Sequence, residues 1–425
     1  SPIMSITLSE LGLRQKPSDI TRLMAIAIER PDVLSLAAGF TDNDSLPLAE
    51  VRDIVNDISN EGPSGKATLQ YGSNIGRSEL RSILTSRIEA QDTLESGTLD
   101  EERMFISNGS QQSLYLAIQT LCNPGDCILV EQPTYFVFLE ILEGLGVTPI
   151  GMPMDETGAV DVEGLKALLT EMNESGAIDR LKALYLVSYF ANPTGHSISE
   201  STKMEIGSVL SRLERPIAVI EDAAYRELYF DSPHSARSCL AIETFVGIPT
   251  LYTSTLTKPY SSGLKVGYAY CTDDSWKESM LTVKGQQDFG TANFAQAIVE
   301  RALSSGSFDR HLNELRGIYK RKMETLHEAL NSELSELGWS WSVPHGALYL
   351  WLRSPNALQT DGDSRFHAAC IENGVFYVPG DLCYPSERVQ DPIRLSFGTL
   401  AVKEIEEAAT RFSLAAKSMT QAVSR

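Results

Sequence analysis

No stretch of this 425-residue sequence stays apolar for the roughly 20 residues that a membrane-spanning helix needs. Cations are in short supply: 36 Lys and Arg against 56 Asp and Glu leave a net charge of −20. That balance argues against nucleic acid or an anionic membrane as partner. It also means that an anionic small molecule must be met by a local cluster of positive charge. Cysteine is sparse and scattered, at Cys122, Cys127, Cys239, Cys271, Cys370 and Cys383, with no CxxC pair. The six histidines are equally dispersed, so no metal is expected. Reduced thiols in a cytoplasmic protein fit this pattern, with Cys122 and Cys370 in apolar helical contexts that read as core. No signal-peptide or Arg-rich leader pattern opens the chain, and it has no internal repeat or low-complexity tract.

What is present is an ordinary globular composition, 42% hydrophobic and 8% aromatic, in a chain long enough for two or three domains. Short β-rich runs alternate with helical patterns from about residue 103 to 271. They are 104–107, 127–130, 182–189, 217–220, 250–253 and 266–270. Near-continuous apolar strands between helices predict a mostly parallel sheet covered on both faces, with ligands beyond the carboxyl ends of its strands. Residues 294–334 carry helical periodicity, followed by strand-like runs at 347–352, 375–378 and 393–397 and a last helix near 402–418. The chain up to about residue 60 has no strand series of its own and is expected to pack with this C-terminal part. The expected organisation is a large α/β domain over residues 60–300. Residues 1–59 and 301–425 then form a smaller, discontinuous α+β domain that closes over the active site.

The segment Tyr252-Thr-Ser-Thr-Leu-Thr-Lys258 places one lysine just past an apolar run ringed by hydroxyls. An ammonium leaving a strand for a half-buried turn loses solvation, and such a lysine is a Schiff-base nucleophile or else an ordinary loop lysine. Ser254, Thr255 and Thr257, with Lys265, suit a phosphate. A carbonyl-bearing phosphorylated cofactor satisfies both halves. Other segments bear on the choice. Asn108-Gly-Ser-Gln-Gln-Ser113 follows a strand and opens a helix, either as an anion site made by Ser110 and Gln111 or as a plain cap. Tyr135 offers a ring to stack on, or belongs to a core rim. Ala191-Asn-Pro-Thr-Gly195 is a turn that holds Asn192. Asp222 leaves a buried strand, where a carboxylate needs a cation such as a protonated pyridine, an N-cap or an ion pair. Tyr225 lies three residues on. Arg394 stands in the apolar run 393–397, where a buried guanidinium calls for a carboxylate.

The ordered set Tyr71-Gly72, Gly109-Ser110-Gln111, Pro133-Thr134-Tyr135, Asn192-Pro193-Thr194-Gly195, Asp222-x-x-Tyr225, Thr257-Lys258 and Arg394 resembles the class I/II, fold-type I aminotransferases that depend on pyridoxal 5'-phosphate (PLP). The resemblance runs from about residue 20 to 415. It implies a mostly parallel seven-stranded sheet and a ping-pong transfer of an amino group to a 2-oxo acid such as 2-oxoglutarate. It also implies that Lys258 carries PLP as a Schiff base and that Asp222 pairs with the ring nitrogen. Asn192 and Tyr225 would bond the ring hydroxyl, and Tyr135 would stack on the ring. Ser110, Gln111, Thr255, Thr257 and Lys265 would hold the phosphate, with Tyr71 reaching the phosphate of a second subunit in a homodimer with shared sites. Gly39 and Arg394 would take the α-carboxylate. Relatives commonly carry Arg where this chain has Lys265, so the bidentate fork is lost there.

Within that family the pattern Ile20-Thr-Arg22 through Arg30-Pro31 is similar to the subgroup acting on 2-aminoadipate, kynurenine and aromatic amino acids. The similarity implies that Arg22 meets a distal substrate carboxylate. It makes 2-aminoadipate the leading substrate, with an aromatic amino acid or kynurenine behind it. Gln287 and Asp288 occupy the stretch where an aspartate-type distal arginine is expected. His345 is expected in the substrate pocket. A cysteine-S-conjugate β-lyase is the alternative chemistry, and a non-catalytic ligand sensor the remote one.

Overall fold

The computed structural model describes residues 1–15, 17–386 and 389–423. The first strand, β1 (Leu34–Ser35), is short and joins the C-terminal half. The central sheet follows with β2 (Met104–Asn108), β3 (Cys127–Val130), β4 (Thr148–Gly151), β5 (Leu181–Val187), β6 (Ala218–Asp222), β7 (Thr250–Thr255) and β8 (Val266–Cys271). Its order is β2-β8-β7-β6-β5-β3-β4, parallel except where β8 runs antiparallel to both neighbours. Alternate side chains divide between two cores. Ala183, Tyr185 and Val187 pack with Phe138 and Ile220 on one face, while Leu184 and Leu186 pack with Leu165 and Val219 on the other. Burial of both faces is why these strands read as continuous apolar runs.

Two boundaries differ from the sequence reading. The run at 182–189 ends at Val187, where Ser188 N–H turns to Asp222 O at 3.1 Å. The run at 217–220 extends to Asp222, which pairs in register with Val187 and Thr253. Asp222 and Thr255 are thus the last residues of their strands and do not lie beyond them. The six apolar runs also omit the seventh strand, β4. Its Thr-Pro-Ile-Gly sequence is tolerated because an edge strand can spare the donor that proline lacks.

The second sheet is β11 (Val378–Pro379), β12 (Pro392–Ser396) and β9 (Tyr349–Arg353), all antiparallel; β10 (Val375–Phe376) pairs in parallel with β1. The run expected at 375–378 therefore serves two sheets, breaking at Tyr377. The helices Asn293–Ser305, Ser307–Leu334 and Val402–Val423 cover this region. The N-terminal chain is tied to it by Leu36 O, which accepts from Ser396 N–H at 2.7 Å, and by the buried ion pair of Asp42 with Lys322 at 2.6 Å. Further back, Gln15 reaches the other way and donates to Glu140 O at 2.8 Å on the helix Phe136–Gly144. Among the described residues no helix is long and apolar enough to cross a membrane.

Candidate active site

A cavity of about 820 Å³ opens at the carboxyl ends of β5, β6 and β7. Ser110, Gln111, Tyr135, Asn192 and Asp222 line it, and so do Tyr225, Thr255, Thr257, Lys258 and Lys265. One end is the N-terminus of the helix Gly109–Leu121, whose cap residue Asn108 makes no side-chain cap bond, so the first-turn amides are open to an anion. Gly267 on β8 allows the sheet to come this close. A Cβ there would stand 2.4 Å from Gly109 C and 2.5 Å from Ser110 N. Thr255 and Thr257 share a hydroxyl–hydroxyl bond of 2.7 Å beside this helix end, and Lys265 adopts φ +54°.

Asp222 is 3% exposed and carries two neutral donors. The Tyr185 hydroxyl donates to Oδ2 at 2.7 Å, and Ala224 N–H donates to Oδ1 at 3.0 Å. No cation among the described residues pairs with it, and burial pushes its carboxyl up to about 6. A protonated ring nitrogen would fit this carboxylate. The folded apoprotein binds the Asp222 proton more tightly than the unfolded chain, whose value is near 3.8. Stability from this group is therefore present at low pH and is lost as pH rises from about 4 through about 6, by about 3 kcal/mol. Urea midpoints of wild type and Asp222→Asn measured from pH 4.5 to 7 test the sign. The Asn variant should gain on wild type as pH rises, and a constant difference would refute the buried charge.

Lys258 Nζ donates to Gly39 O at 2.6 Å, which joins the N-terminal chain to the site. Arg394 lies beside the cavity, 2% exposed. It donates to Asn192 Oδ1 at 2.9 Å and to Ala37 O at 2.6 Å, while its buried Nε has no partner among the described residues. Tyr349 stacks against its guanidinium, 4.4 Å from the ring centre. Two acceptors and an unused donor, with no carboxylate among the described residues, leave this buried charge fit for a substrate carboxylate. The donor set as a whole suits PLP: an open helix end with hydroxyls and Lys265, a buried carboxylate lacking a cation, and a half-buried lysine.

Two expected site residues stand elsewhere. Tyr71 is 77% exposed and meets Phe289 edge to face at 5.3 Å, outside the cavity. Arg22 is on the helix Asp19–Glu29 and faces Asp363 at 4.0 Å, also outside it. His345 lines an adjoining cavity of about 1180 Å³ that shares Val187 and Asn192 with the first. The sequence reading missed Tyr185, hidden in an apolar run, and Tyr349, whose hydroxyl meets that of Tyr225 at 2.6 Å. Burial first, then Tyr349, pushes the Tyr225 phenol well up, so it stays protonated. Phe40, Tyr115 and Gln287 also line the cavity without having been singled out for it.

Residues 31–412 match the family described as aminotransferase class I and II. The chain is 26% identical to aromatic-amino-acid aminotransferase 1 of Thermococcus litoralis, over 95% of this chain and 93% of that one. It is 27% identical to the 2-aminoadipate transaminase of Thermus thermophilus, over 96% and 95%. Its fold superimposes on the kynurenine aminotransferase of Pyrococcus horikoshii with a TM-score of 0.87 at 27% identity, covering 97% of each chain. The chain belongs to the class I and II aminotransferases, with the fold-type I architecture and pyridoxal 5'-phosphate as cofactor.

Proposed function

We propose that this aminotransferase takes its amino group from an L-amino acid with a large aromatic side chain and passes it to a 2-oxo acid. The carrying observation is the cavity lining. Phe40, Tyr115 and Ile141 supply apolar surface, and the cations are Lys258 and Lys265, both committed to the cofactor in this reading. A second reading, 2-aminoadipate, is favoured by Arg22. Its helix packs through Leu23 into the cluster that holds Phe136, next to Arg394. The exposed pair with Asp363 is weak in water and exchangeable for a distal carboxylate.

The cofactor supplies an electron sink for the carbanion that forms at the substrate Cα. The chain does the rest. Lys258 would anchor the cofactor through Nζ, and the same nitrogen, once free, would carry the Cα proton. Asp222 stays ionised against the ring nitrogen and keeps its proton in place. Tyr225 and Asn192 hold the ring hydroxyl, Tyr135 covers the ring, and Ser110, Gln111, Thr255, Thr257 and Lys265 hold the phosphate. Arg394 grips the α-carboxylate by its fork, near the backbone of Gly39. Tyr71, with its neighbours Leu69 and Phe289 all strongly exposed, supports a homodimer in which this tyrosine completes the second subunit's phosphate site. A cytoplasmic location completes the reading.

The visible spectrum of the PLP-loaded protein, followed on adding donors without acceptor, tests the substrate. Phenylalanine, tyrosine or kynurenine should bleach the band at concentrations where 2-aminoadipate does not. The reverse order, lost in Arg22→Ala, would replace the first reading by the second. Pyruvate released from a cysteine S-conjugate without acceptor would show a β-lyase. A band that no amino acid bleaches would leave a binding protein.

A further inference from the structure

Asn108 stands at the cap of the 109–121 helix, where asparagine ordinarily turns its side-chain oxygen onto the first-turn amides. Here it makes no such bond. Its amide donates to Asp288 Oδ2 at 2.7 Å and to Gln112 Oε1 at 3.0 Å. Gln112 Nε2 donates to the same Asp288 oxygen at 3.0 Å. Asp288 ends the helix Asp274–Asp288 and is held by Gly290 N–H at 2.8 Å and by the fully buried Lys284 at 3.1 Å. Asn108 and Gln112 line the cavity, whereas Asp288 borders the surface pocket by Tyr71.

On charge alone, a carboxylate beside the end of an anion-binding helix is a poor neighbour. Burial opposes its ionisation, yet Gln112, the Gly290 amide and Lys284 outweigh burial and hold this carboxyl below its usual range. The geometry supplies a reason for keeping it. An unrestrained Asn108 would cap its own helix and occupy the donors the phosphate needs. We propose that Asp288 is a positioning residue, drawing the Asn108 side chain off the helix cap and so reserving the Ser110 and Gln111 amides for the cofactor's phosphate. Lys284 offsets the charge that this clamp introduces. The inference rests on the phosphate site proposed above.

The two effects of Asp288 have opposite signs, and that makes them separable. Asp288→Ala removes both charge and clamp. Loss of charge alone would tighten anion binding, whereas release of Asn108 loosens it. The apoprotein variant should bind PLP and inorganic phosphate about five- to tenfold more weakly, the size of one helix-cap bond. Asp288→Asn keeps an acceptor for Asn108 without the charge and should bind PLP at least as tightly as wild type. Asn108→Ala cannot cap and should match wild type, whereas the Asn108→Ala/Asp288→Ala double variant, which also loses the charge, should bind at least as tightly as wild type. Tryptophan-fluorescence titration with PLP and calorimetry with phosphate give the affinities, and far-ultraviolet circular dichroism confirms the fold of each variant. Unchanged or tighter binding by Asp288→Ala overturns the proposal, as does failure of the double variant to recover. Should Asp288→Ala not fold, weakened binding by Asn108→Ala overturns it instead. Wild-type protein that binds PLP but not through its phosphate, shown by equal affinity for pyridoxal, would overturn the site reading itself.

Discussion

Replacing Lys258 by alanine should abolish transamination, lowering the single-turnover rate by at least about 10³-fold, while the fold stays intact. The side chain is half-buried and bonds one backbone carbonyl, that of Gly39. The turn that carries it is held by other atoms. Leu256 N–H donates to Val266 O at 2.8 Å, and Thr257 N–H donates to Thr255 Oγ1 at 3.0 Å. Alanine therefore costs a single hydrogen bond, about 0.5–1.5 kcal/mol. Rapid-mixing kinetics with a saturating donor, alongside a thermal melt, separate the two quantities. Turnover surviving in a folded variant would remove Lys258 from the chemistry.

The second large effect belongs to Arg394. Arg394→Ala should lower kcat/KM for the amino acid by about 10²- to 10³-fold, within the about 2–5 kcal/mol of losing one partner of a buried charge-assisted contact. The loss should fall mainly on KM, and the PLP-loaded spectrum should survive, because in the proposed function the guanidinium takes the substrate carboxylate. Arg394→Lys should recover only part. It keeps the charge, but it cannot reach Asn192 and Ala37 with two nitrogens while offering a third. A variant whose KM matches wild type would discard the α-carboxylate role.

Much of this site was legible in the sequence because most of its motifs lie at, or a few residues past, the end of a strand. An apolar run followed by one polar residue says where the chain leaves the sheet, and a parallel sheet brings all such points to one edge. That is how Asn192, Asp222, Thr255 and Lys258, far apart in the chain, were assigned to one cavity. Other parts were illegible for physical reasons. Tyr185 sits inside β5 and looks like any core aromatic; only pairing with β6 shows its hydroxyl aimed at Asp222. Tyr349 is reached through the second sheet, whose register with the first no local pattern encodes. Gln287 and Asp288 were noticed for the charge they deny a substrate, while their bonds to Gln112 and Asn108 depend on a helix packing beside another. Arg22 stands in a motif, but the motif alone does not tell that its side chain faces Asp363.

The antiparallel placement of β8 has one more consequence. Because β7 and β8 are neighbours, the segment carrying Lys258 begins and ends at adjacent points, with Leu256 bonded across to Val266. Lys258 thus swings only on a short tether pinned at both ends. An amine so held would stay at a local concentration far above what a diffusing amine could reach. In the proposed function, strand order would thereby keep Lys258 within reach as the base.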